Sequence, residues 1–154
     1  MAAFARRALT DGEIAFGRIA FGDEIDWPRV RIAQVHPAAP WGAMVPIGRT
    51  IVFARWRAAW DFARSDVLEQ AWVVHELAHV WQAQRGVPLA AAKLSAIGRS
   101  AYRADWREER PFASYNIEQQ AEIVRFAFLA RIGRPDPTGP NLRRLAALWP
   151  VGDR

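Results

Sequence analysis

Two histidines four residues apart, His75 and His79, bracket a glutamate in the run Val73-Val74-His75-Glu76-Leu77-Ala78-His79-Val80-Trp81. On a helix that spacing puts both imidazoles on one face, one turn apart. Two neutral imidazoles so placed can share one metal ion, for which Zn²⁺ is the usual choice. Glu76 follows the first histidine and stands beside such an ion without binding it, where its carboxylate can take a proton from a metal-bound water. That chemistry is hydrolysis by a general base working next to a Lewis acid. A buried helix whose histidines only hydrogen-bond is the plainer alternative, so the surroundings decide.

The surroundings predict a well-bounded helix. Asp66 with Glu69 reads as a capping box, with Ser65 as an alternative cap, and no Gly or Pro falls between Val67 and Gln84. Arg85 complements the negative helix end, Gly86 suits a left-handed residue after it, and Pro88 blocks continuation. Apolar residues occupy most of the girth, which predicts a buried central helix. Histidines and a glutamate in so apolar a setting need partners, because unpaired burial is costly.

A catalytic zinc takes three protein ligands and leaves one position open. His36, the one remaining histidine, lies near prolines and reads as a surface loop residue. Downstream, Asn116 and Gln119 form a second capping box, and Ile117, Ala121, Val124, Phe128 and Ile132 make the apolar stripe of a helix ended by Gly133 and Pro135. Glu118 and Glu122 share a face of it. The stretch Glu118 to Glu122 resembles the Glu-x-x-Ala-Asp type of pattern of gluzincin peptidases, and that resemblance implies Glu118 as the metal ligand and Glu122, in place of the commoner Asp, as acceptor of the outer N–H of a ligand histidine, whose tautomer it would fix. The alternative is that both are solvated charges paired with Arg125, three residues beyond Glu122.

His-Glu-x-x-His on a helix is the signature of zincin metallopeptidases, and a carboxylate third ligand on a later helix is the arrangement of the gluzincin class. The phrases Leu9-Thr10-Asp11-Gly12-Glu13, His75 to Gln82 and Tyr115 to Val124 resemble those of the Vgr-related proteins, bacterial proteins associated with Rhs and Vgr elements. The resemblance covers about residues 9–132. It implies a compact zincin-like fold and a secretion-system (Vgr/Rhs) partner, and names no substrate.

At 154 residues the chain is read as a single domain, 1–154, with a core of about 9–132 and a C-terminal tail of 133–154. Cysteine is absent, which excludes disulfides and thiolate ligands. No apolar run reaches the roughly 20 residues of a membrane span. No apolar signal-peptide region follows Met1. The expected location is therefore cytoplasmic, and the Vgr-related resemblance implies export by a contractile secretion system. The net charge of +5 comes from arginines scattered along the chain, with Lys93 the single lysine, so a solvated basic surface is expected and not a nucleic-acid site.

The remaining chain predicts an α+β fold, helix-dominated with a small antiparallel β-sheet. Thr10 to Glu13 caps a short amphipathic helix ending at Gly22. Strands are expected at 29–35 and 50–54, paired antiparallel across a proline-rich loop from His36 to Pro46, with Gly48-Arg49 as a further turn. Leu89 to Ile97 reads as helix, 103–110 as a solvated loop, and Asn141 to Trp149 as one more short helix.

The expected function is zinc-dependent hydrolysis of peptide bonds through a water activated by Glu76, with a peptide or protein substrate added to the edge of the sheet. Tyr115, Tyr102 and Arg125 are the candidates for stabilising the oxyanion. The alternative is a non-catalytic module, an adaptor or toxin-associated domain of a bacterial secretion system stapled by zinc. The glutamate beside the histidines separates the two, since a structural site has no need of a base.

Overall fold

The computed structural model describes residues 6–35, 45–54, 57–95, 99–106 and 108–151. Its organising contact is between two long helices, α2 (Val67–Gln84) and α4 (Ile117–Arg131), which pack along one another. Both start where local chemistry dictates. The Asp66 side chain accepts the Glu69 N–H, although Glu69 pairs outward with Arg57 and does not close the box. Asn116 and Gln119 close theirs fully. Helix α2 stops at Gly86, whose φ of +83° is a left-handed conformation that side-chain-bearing residues avoid.

Around this pair lie α1 (Asp11–Phe21), α3 (Leu89–Ser95) and α5 (Leu142–Leu148). The Thr10–Glu13 capping box is present at the start of α1. Gly17 on α1 permits close packing, because a Cβ there would meet the Trp27 ring at 2.7 Å. The tail over residues 133–151 is not an appendage. Leu145, Leu148 and Trp149 are buried in the main core, and the Trp149 indole N–H donates to the carbonyl of Ala20. No helix among the described residues is long and apolar enough to cross a membrane.

The sheet corrects the expected antiparallel pairing. Strands β2 (Arg31–Val35) and β4 (Thr50–Ala54) run parallel, within a four-stranded mixed sheet that also contains β1 (Arg6–Ala8) and β3 (Val45–Ile47), in the order β1-β2-β4-β3. The Gly48-Arg49 turn folds β3 back onto β4 as the true antiparallel hairpin, which leaves β2 the other edge of β4. Strand β3 occupies 45–47, residues read above partly as loop because of Pro46. At the edge of a sheet the missing proline N–H is tolerated. Strand β2 begins two residues later than expected, since Trp27–Arg29 forms a 3₁₀ turn with Pro28 near its start. The rest of the proline-rich loop, with His36, and the end of the helix expected to reach Ile97 lie outside the described residues.

One buried ion pair ties the sheet to the helices. The Glu13 carboxylate is fully buried and accepts both Arg7 guanidinium nitrogens at 2.7 Å, the Thr10 N–H at 2.8 Å and the Phe62 N–H at 2.9 Å. It thereby joins β1, the start of α1 and the turn at Phe62–Arg64. Glu13→Ala should cost about 3–5 kcal/mol, because it leaves the part-buried guanidinium without its carboxylate and two backbone donors without their acceptor. A urea or thermal melt reads this directly, and a loss below about 1 kcal/mol would refute it.

Candidate metal centre

Helix α2 presents His75 and His79 one turn apart, and α4 presents Glu118 and Glu122 opposite them. Packing brings Glu118 Oε2 between the two imidazoles, 3.2 Å from His75 Nε2 and 3.1 Å from His79 Nε2. One ligand atom from each of these three buried residues lies within 4.8 Å of the others. Glu122 reaches the far side of His75, with Oε1 2.8 Å from Nδ1. Arg125 holds Glu122 through Nε and Nη2 and leans on Asp136, so the Glu122–Arg125 pair and the Glu122–His75 contact coexist.

The far side of His79 is served by Gln82, which the motif reading left without a role. Gln82 Nε2 donates to the Ile117 carbonyl at 3.0 Å and to Gln120 Oε1 at 2.9 Å, so its Oε1 must be the atom 2.8 Å from His79 Nδ1. Gln120 is anchored in turn by donating to the Tyr115 carbonyl. The spacing of Gln82, three residues after His79, is the sequence signal for its position; that of Gln120 depends on the approach of α4.

Gln82 Oε1 and the Glu122 carboxylate can only accept, so both imidazoles carry their hydrogen on Nδ1. Their Nε2 lone pairs then face a carboxylate oxygen that also has no hydrogen to give. Three acceptors converge on one point, an arrangement stable only around a cation, either a proton or a metal ion. Two imidazole nitrogens and one carboxylate oxygen are a donor set that suits zinc. In the metal-free protein a proton fills the role. Burial alone would lower the His75 pKa, but the hydrogen bonds to Glu118 and Glu122 outweigh it and raise it to about 9. Burial likewise pushes Glu118 upward, and its bonds to His75 and His79 win, holding its carboxyl well below the usual range.

Glu76 is only 3% exposed, and its Oε2 has no hydrogen-bond partner. Burial pushes its carboxyl up, against the pull of His75, His79 and Lys93. The open side of the site is edged by two aromatic rings. Trp72 lies 5.7 Å from the His75 ring, and Tyr102, 44% exposed, stacks on it at 6.0 Å. Burial, then the neighbouring Glu118, Glu76 and Glu122 carboxylates, push the Tyr102 hydroxyl up to about 12. Of the three oxyanion candidates, Tyr115 is buried between Trp106 and the Arg110 guanidinium, and Arg125 is engaged by Glu122 and Asp136. Tyr102 is the one presented at the site.

No protein-family model matches the chain. The type VI secretion system spike protein VgrG2b of Pseudomonas aeruginosa is 34% identical over 138 residues, 82% of this chain. The solved effector domain of that VgrG2b superposes with a TM-score of 0.68 at 31% identity, covering 96% of this chain and 84% of the domain. The chain belongs to the family of the VgrG2b effector domain. It spans 13% of the length of the VgrG2b spike protein, so it corresponds to the effector part and not to the whole spike. The VgrG2b likeness extends over nearly the whole chain, beyond the residues 9–132 on which the Vgr-related resemblance rests.

Proposed function

We propose that this member of the VgrG2b effector-domain family is a zinc metallopeptidase domain that reaches its substrate through a contractile, type VI-like secretion system. The observation that carries the reading is the convergence of His75 Nε2, His79 Nε2 and Glu118 Oε2, beside a buried carboxylate with an unpartnered oxygen. A site that only stapled the fold would have no use for Glu76 in that position.

His75, His79 and Glu118 would hold the ion. When bound, zinc supplies Lewis acidity toward a peptide carbonyl and makes a water more acidic. The residues do the rest. Glu76 accepts a proton from the attacking water and passes it to the leaving amine. Glu122 and Gln82 keep the imidazole hydrogens on Nδ1 and the rings in orientation. Tyr102 donates its hydroxyl to the carbonyl oxygen as negative charge builds there. An extended polypeptide can pair with β3, an edge strand that contacts α2.

The test combines metal analysis with cleavage of varied unfolded proteins. One zinc per chain is expected, with cleavage abolished by chelation, and no zinc in a His75→Ala/His79→Ala double variant. Because His75 in the metal-free protein is raised to about 9, the ion must displace a proton from it at any lower pH. Zinc affinity should therefore fall by about tenfold per pH unit on acidification. Full zinc in the double variant would end this reading.

A further inference from the structure

Glu118 has a second oxygen, and something other than the histidines faces it. Lys93, on α3, places its Nζ 3.8 Å from Glu118 Oε1, while Oε2 points between the imidazoles. Lys93 is about a quarter exposed, its partner almost wholly buried. It is also the single lysine of the chain, in which the other 20 of 21 cationic residues are arginines. The distinction matters chemically. Ammonium is a point charge that engages one carboxylate oxygen, whereas a guanidinium fork takes both at once.

We propose that Lys93 is a positioning residue whose ammonium holds the outer oxygen of Glu118, so that Glu118 presents one oxygen and not two to an ion held by His75 and His79. The inference rests on the metal-binding reading above. A carboxylate that swings to offer both oxygens occupies two coordination positions, and the second is the one a water or a peptide carbonyl needs. Arginine in the same place would draw both Glu118 oxygens to itself. A neutral side chain would remove the cation that competes with the ion for Oε1. Lysine is the intermediate case, which weakens the ligand slightly and keeps the position open.

The experiment measures Zn²⁺ affinity, and the visible absorption of Co²⁺ bound in place of zinc, for the wild type, Lys93→Met, Lys93→Gln and Lys93→Arg, with folding checked by circular dichroism. Lys93→Met and Lys93→Gln should bind zinc on the order of tenfold more tightly, a modest gain because the lysine is partly solvated. Their Co²⁺ absorption should weaken, as a fifth ligand atom lowers the intensity of the four-coordinate spectrum. Lys93→Arg should bind more weakly than wild type. A lysine that merely supported α3 would give the opposite, with the neutral variants losing affinity and arginine the best substitute. That order, or unchanged affinity and spectrum in all variants, overturns the proposal. Failure of the wild type to bind either ion overturns the metal reading itself, and this inference with it.

Discussion

Glu76→Gln should leave folding and zinc content at wild-type levels and lower peptide cleavage by about 10²–10⁴-fold, the range for loss of a positioned general base. Glutamine keeps the size and shape of the side chain, so the packing of α2 is undisturbed. Glu76 is not among the three converging ligands, because it lies about 100° round the helix from His75. What the amide cannot do is take a proton from water. The unpartnered Oε2 leaves the carboxylate free for that task, and burial, by raising its pKa, makes it a better proton acceptor than an ordinary carboxylate. Assays need several unfolded protein substrates, since one peptide samples a single sequence. Equal cleavage by wild type and variant at matched zinc content would exclude the mechanism and favour a module in which zinc only staples the fold.

The second large effect separates the two glutamates of α4. Glu118→Ala removes one of three converging donors and should abolish tight zinc binding. Glu122→Ala removes only the acceptor of the His75 Nδ1–H and should cost about 10–100-fold in affinity. The comparison is clean because Arg125 keeps Asp136 when Glu122 is lost, and so is not left as a buried unpaired charge. Zinc titrations giving the reverse order would mean that the ligand sits one helical turn further along α4.

The parts of this protein legible in its sequence are those set by local chemistry. Thr10 with Glu13, Asp66, Asn116 with Gln119, and Asn141 each cap a helix within three residues of themselves, so those helix starts needed no knowledge of the rest of the chain. The shared face of His75 and His79, and of Glu118 and Glu122, follows from the helical repeat alone. Strand pairing is different in kind. Alternation identified β2 as a strand and a run of β-branched residues identified β4, but their parallel arrangement depends on β3 taking the other edge of β4, and a three-residue strand with a central proline carries almost no local signal.

The site divides the same way. His75, Glu76 and His79 stand together by spacing, whereas the crossing of α2 and α4 decides that Glu118 Oε2 lies between the imidazoles and that Glu122 reaches His75 from behind. The same crossing brings Gln120 to Gln82 and so sets the hydrogen on His79, and the fold of α3 over the site brings Lys93 to Glu118. These are contacts between residues 25 to 47 apart in the chain, from Lys93 to Glu118 at 25 to His75 to Glu122 at 47. No periodicity or cap encodes them. They exist because burying the apolar faces of two helices leaves their few polar groups one another as partners, and only the packed structure determines which meets which.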